Sequence, residues 1–218
     1  MSTATSNAHF VSSSNLSNGQ NVYIYQTPLG YQPASRKPVL KGRVGEQGTE
    51  FIVSDITINT NLVHQVTGYQ VIALKGSGFF TYWIYRNVSG YTHSEIRGRW
   101  WNNDGTPVTA SFTINNSMGS AHYSVDRVSG HKNIVSTDDG GILISFSIRT
   151  GSLYGKSYFA TYKKNKTEKD ITNIEILGDV TITTELPKCC ILKNGNFLLS
   201  TNNNYSIYVL LCEIANMS

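Results

Sequence analysis

The stretch HKNIVSTDDGGILISF, residues 131–146, decides how this chain is read. Asn133, Ile134 and Val135 form a short apolar run that reaches a polar turn, Asp138-Asp139-Gly140-Gly141, and a second β-rich run over 142–146 follows at once. Two β-forming runs around an Asp/Gly turn specify a hairpin, because those turn residues accept the positive φ of a tight connection. The same order recurs in YQVIALKGSGFFTYW (69–83), in PKCCILKNGNFLLST (187–201) and, more faintly, in HFVSSSNLSNGQNVYIY (9–25). Aligning the turns sets Tyr25, Trp83, Phe146 and Thr201 in one column, 58, 63 and 55 residues apart. That spacing falls in or just above the period of four-stranded propeller blades.

Working outward, each hairpin is followed by further strands. In the first unit NVYIYQ (21–26) leads through a Pro-containing loop to VLKGRV (39–44), a Gly turn and FIVSDITIN (51–59). LKGRVGEQGTE (40–50) then lies over IRGRWWNNDGTP (96–107), with Gly42 over Gly98 and Arg43 over Arg99, and ITIN (56–59) lies over FTIN (112–115) at the same offset. The third unit continues through SYFATYKKN (157–165) and ITNIEILG (171–178), which puts Ala160 in the column of Gly42 and Gly98. A column of small residues predicts close approach of a neighbouring strand or sheet. The fourth unit has a third strand in SIYVLLCEIAN (206–216) and lacks the last one. Residues 3–7, TATSN, stand where a closing strand would come from, which would remove an exposed edge.

The pattern DGG-aliphatic-aliphatic-Ser-aromatic over 139–146, with IRGRWWNNDGTP and FTIN, resembles the degenerate repeats of bacterial β-propeller modules found in secreted and adhesin-like proteins. Departures are Gln20 and Asn196 for the second Gly and Thr201 for the aromatic. The resemblance implies a fold and says little about a ligand. The expectation is an all-β single domain over 1–218, a small β-propeller of about four four-stranded antiparallel blades closed by the N-terminal strand. Its repeats run approximately over 9–65, 66–127, 128–186 and 187–218, preceded by 1–8.

Composition agrees with this class. Apolar residues make up 39% and charged residues 15%, with 13 Tyr and 19 Gly, a balance that suits short strands and polar turns. The net charge of +4 is mild. The one basic cluster, Lys163, Lys164, Lys166 and Lys169, reads as a solvated hairpin tip, so no nucleic-acid partner is expected. No run of 18 apolar residues exists, so no membrane span is expected. The first residues have neither a basic nor an apolar leader region, which predicts a cytoplasmic protein or one exported without a cleavable signal. Cys189, Cys190 and Cys212 form no disulfide framework, and the adjacent pair should point to opposite faces of a strand as reduced thiols.

The search for chemistry excludes more than it finds. The acidic turns 102–105 and 138–141 lack the spaced donors of a calcium loop, so no metal and no cofactor is expected. None of the five His accompanies a nucleophile elbow, no phosphate loop is present, and no pair of carboxylates stands out, so no catalytic residue is assigned. Aromatic platforms are the better lead. Trp100 and Trp101 are adjacent on one strand and must face opposite ways. Either one ring is offered to a sugar or peptide with Arg97, Arg99 and His93 beside it, or both rings are buried between sheets. Tyr91, Tyr154 and Tyr205 lie between second and third strands, and Tyr31 in the matching first-unit loop, so all four would gather on one rim. The expected function is a non-enzymatic binding module for a glycan or protein, using these residues. The alternative is a structural, self-assembling propeller that homo-oligomerises through an open blade edge; a hydrolase or lyase with a central pocket ranks third.

Overall fold

A computed structural model describes residues 11–27, 39–53, 64–87, 94–114, 133–149, 154–168, 171–181, 188–202 and 207–212. Among them the chain forms four separate antiparallel sheets of consecutive strands and no helix. The first sheet holds β1 (Val11–Asn15), β2 (Asn21–Thr27), β3 (Val39–Val44) and β4 (Glu50–Ile52). The second holds β5 (His64–Ala73), β6 (Phe79–Asn87), β7 (Ser94–Trp101) and β8 (Phe112–Thr113). The third holds β9 (Ile134–Ser136), β10 (Ile142–Arg149), β11 (Tyr154–Tyr162) and β12 (Ile171–Thr181). The fourth has three strands, β13 (Lys188–Ile191), β14 (Phe197–Asn202) and β15 (Ile207–Cys212). Residues 1–8, expected to close the fourth unit, lie outside the described residues.

The repeated hairpin is a repeated backbone shape. Each first turn closes with the same N–H to C=O bond across four residues: Leu16 to Gln20 at 2.8 Å, Leu74 to Gly78 at 3.1 Å, Thr137 to Gly141 at 3.0 Å and Leu192 to Asn196 at 2.8 Å. In three of them a side-chain oxygen accepts the N–H two residues on: Asn18 from Gln20, Asp139 from Gly141 and Asn194 from Asn196. The residue between is Gly19, Gly140 or Gly195, at φ of 81°, 80° and 86°, a region that side chains disfavour. Asp and Asn are interchangeable here because the turn uses only the oxygen, so the acid at 139 is a turn residue.

The sheets stack through their first strands, β1 beside β5 and β9 beside β13. Side-chain hydroxyls stitch them: Ser12 and Ser14 accept from the backbone N–H of Val71 and Ala73 at 3.0 and 2.9 Å, and Ser136 accepts from Lys75 at 3.0 Å. Apolar cores fill the three junctions. Val22, Ile24 and Leu40 meet Phe79, Trp83 and Trp101 between the first two sheets. Phe80, Tyr82 and Trp100 meet Ile142, Ile144 and Phe146 between the second and third. Leu143 and Phe159 meet Cys189, Phe197 and Leu199 between the third and fourth. Trp83 and Phe146, partners in the aligned column, therefore each face the preceding sheet.

The small-residue column needs a correction. Gly42 pairs with Ile24, and Gly98 with Tyr82, on the face toward the following sheet. Ala160 pairs with Ile144, whose side chain packs in the junction with the preceding sheet. It is one residue out of register, and Phe159 fills the column instead. The close approach at the two glycines comes from aromatic rings of their own sheets, since an added Cβ would strike Phe51 at Gly42 and Phe80 at Gly98. The expected basic tip is a turn between β11 and β12, with Lys166 N–H donating to Lys163 C=O at 3.1 Å; Lys169 lies outside the described residues.

Candidate functional site

Adjacency sends Trp100 and Trp101 to opposite sides of β7, and both sides are junctions. Trp100 is fully buried toward the third sheet and donates its Nε1–H to the Lys166 carbonyl at 2.7 Å. Trp101 is buried toward the first sheet, donates to Thr81 Oγ1 at 2.8 Å, and packs on Phe51 with ring centroids 4.7 Å apart. Neither ring is a platform for a ligand; each fills an inter-sheet core. Arg99 is buried with them, its guanidinium 5.2 Å from the Trp101 ring centroid. Arg97 is partly exposed and pairs with Glu95 at 3.0 Å. Tyr154 opens β11, while Tyr31, Tyr91, His93 and Tyr205 lie outside the described residues.

Topology sorts the two ends of the stack. Short turns between first and second strands and between third and fourth strands share one end. There Lys75 pairs with Asp138, Lys164 Nζ reaches Ser77 Oγ at 3.1 Å, and the Gly105 turn abuts Phe51. The links from second to third strands, and from each sheet to the next, leave from the opposite end. Longer segments at one end of a rigid stack are where binding and catalytic residues usually sit.

Two polar constellations went unread in the sequence. On the first sheet's outward face, Glu50 accepts a hydrogen bond from Tyr25 and pairs with Lys41 at 2.9 Å and Arg43 at 3.4 Å. The Tyr25 bond, then Lys41, holds the Glu50 carboxyl below its ordinary range. Burial, then the Glu50 bond, pushes the Tyr25 phenol up to about 12. The three partners are brought together by register, Tyr25 opposite Lys41 and Arg43 opposite Glu50, which separation in sequence conceals. The arrangement is a carboxylate favoured in its ionised form beside a phenol donor, chemically suited to hydroxyl recognition and unsuited to acid catalysis.

The second constellation is internal. Tyr82 Oη donates to Asn133 Oδ1 at 2.6 Å and lies 2.8 Å from Gln70 Oε1, while Asn133 Nδ2 donates to the Ser145 carbonyl at 3.4 Å. Burial pushes the Tyr82 phenol well up, so it stays a proton donor. Tyr82, Asn133 and Ser145 are all buried, and Gln70 is the half-buried end of the chain. Asn133 had read as part of an apolar run; one polar residue at the head of such a run is the signal that marks it. Among the described residues no group of three or more His, Cys, Asp or Glu is placed to hold a metal. Nor, among the described residues, is any helix long and apolar enough to cross a membrane.

No protein-family description and no curated protein matches the sequence. Among solved structures, the chain is similar to the α-L-arabinanase of Penicillium chrysogenum complexed with arabinobiose, at TM-score 0.50 and 11% identity. That enzyme is a five-bladed β-propeller. The match covers 97% of this chain and 64% of the arabinanase, so the chain spans just under two thirds of that enzyme's length. The likeness is one of fold, and it makes the four sheets propeller-like. It also corrects the expected function. The propeller that this chain resembles belongs to an enzyme, and of the two arrangements open to Trp100 and Trp101 the structure has the buried one, so the non-enzymatic binding module is set aside.

Proposed function

We propose that this chain is a carbohydrate-active β-propeller that hydrolyses glycosidic bonds in an oligo- or polysaccharide. One observation carries the reading: likeness over 97% of the chain to a propeller arabinanase complexed with arabinobiose. In this reading the four sheets are blades about a common axis, and the ligand is a glycan.

Glycoside hydrolysis needs two carboxyl groups flanking the bond, one protonated to release the leaving oxygen and one ionised to attack or to activate water. Asp104 and Asp139 are poorly placed, because each caps a tight turn and is held ionised, first of all by a neighbouring threonine hydroxyl. Glu50 is committed to Tyr25, Lys41 and Arg43. Three other acids fall, in sequence, one in each link between successive sheets: Asp55 after β4, Asp126 before β9 and Glu185 before β13. They are the first candidates for the pair, since those links leave from the same end of the stack.

The test replaces each of the 14 acidic residues by its amide and follows release of reducing ends from arabinan and a panel of other polysaccharides. Loss of a general acid or base lowers turnover by about 10²–10⁴. Two of Asp55→Asn, Asp126→Asn and Glu185→Gln should show that loss at an unchanged melting temperature. Wild-type rates in all 14 variants would remove the reading.

A further inference from the structure

The two terminal faces of the stack are built like the faces already buried inside it. On the first sheet, Tyr25 stands in the column of Trp83 and Phe146, each 1% exposed against a preceding sheet. Arg43 stands over Arg99, which is buried on that same side of the second sheet. In sheet register Tyr25 pairs with Lys41, and Lys41 with Ile52, so all three lie on the outward face; Ile52 is 57% exposed. The first sheet thus presents a preceding-side face with no sheet in front of it among the described residues.

The fourth sheet presents the reverse. Leu198 stands in the column of Val22, Phe80 and Leu143, all fully buried toward a following sheet. Leu198 pairs with Leu211 and Ser200 with Val209, so both β15 residues share its face; they are 53% and 60% exposed. Ile207, paired with Asn202 farther along that face, is 78% exposed. Large aliphatic side chains in a row are left in water on one terminal face, and the face of the matching side, with Tyr25, Ile52 and the Lys41, Arg43 and Glu50 cluster, is left at the other.

We infer that the fourth sheet of one copy docks on the first sheet of a second copy, repeating head to tail the junction that the chain builds three times within itself. The occupant is a second copy because the column matching is specific to this chain, and because the single chain leaves both faces exposed. Such a contact is heterologous, so it closes into a ring or propagates. The inference rests on the two faces and does not depend on the proposed hydrolysis.

The solution mass of the full chain, of Leu211→Lys and of Ile52→Lys tests it. Both positions are exposed in the single chain, so each variant should keep its circular dichroism and melting temperature. The wild type should associate. A lysine brought unpaired into the junction should weaken association at least a hundredfold, leaving each variant monomeric alone. Mixing the two variants leaves one intact pair of faces, and a heterodimer should form. A monomeric wild type would overturn the inference and point to closure within one chain. Variants that still associate alone, or a mixture that stays monomeric, would also overturn it, because then other surfaces or an isologous contact join the copies.

Discussion

Strands β6 and β15 are both rich in large apolar residues, FFTYWIYRN and IYVLLC, yet one lies inside the molecule and the other at its edge. Residues Phe79 to Ile84 of β6 are buried on both faces, none more than 1% exposed. In β15, Ile207, Val209, Leu210 and Leu211 are 41–78% exposed. A near-continuous apolar strand is the pattern expected where both faces are covered. The difference shows that coverage comes from the neighbouring sheet and not from the strand itself: among the described residues β6 has a sheet on either side, and β15 has one on one side and no fourth strand beyond it.

The largest effect that sharpens this contrast is in the aromatic junction. Trp101→Ala removes a ring packed against Phe51 and Phe79 and should cost about 3–5 kcal/mol in urea unfolding, whereas Leu211→Ala on the bare face should change stability by no more than about 0.5 kcal/mol at protein concentrations too low for association. Equal costs would mean that β15 is covered within the single chain. Next comes the internal polar chain. Asn133→Ala removes the nearer of the two acceptors of the buried Tyr82 hydroxyl together with the amide that donates to the Ser145 carbonyl, and should cost about 1–3 kcal/mol in the same experiment.

The adjacent cysteines read the two faces of one sheet. Cys189 is buried in the junction with the third sheet, where burial pushes its thiol up to about 12, and Cys190 is half-buried on the opposite side. At pH 8 a thiol reagent, followed by peptide mapping, should label Cys190 first and Cys189 only on unfolding. Labelling at equal rates would deny the difference between the faces. The smallest effect is at the outward face of the first sheet. Because the Tyr25 phenol is raised in the folded chain, its contribution to stability is complete below pH 10 and is lost as pH climbs toward about 12. Glu50 has the opposite sign: its lowered carboxyl contributes above the ordinary carboxylate range, and that contribution is lost as pH falls through the folded value. Glu50→Gln should reduce the acid-side loss and shift the midpoint at pH 7 only slightly, as exposed pairs do. An unchanged acid profile would separate Glu50 from its partners.

The hairpin repeat was legible because its turns are local: Asn18-Gly19, Asp139-Gly140 and Asn194-Gly195 specify backbone shape over four residues. The opposite facing of Trp100 and Trp101 was legible for the same reason, a period of two. What lay beyond reach was everything fixed by register or by a neighbouring sheet. Ala160 was aligned on sequence spacing and fell one residue out of pairing. The Tyr25, Lys41, Arg43 and Glu50 cluster is assembled across three strands, and burial of both Trp rings depends on the sheets on either side of their own. Site chemistry was least legible, since the tight turns that attract the eye sit at the end of the stack opposite to the longer links.

The central claim is glycan hydrolysis by a propeller-like chain, and product analysis tests it most directly. The purified full chain is incubated with arabinan and with other polysaccharides of differing linkage, and the soluble products are measured by mass. The account predicts a ladder of shorter oligosaccharides from at least one of them, absent with the carboxylate-to-amide variants. Every polymer recovered at its starting length, from protein shown to be folded, would contradict it.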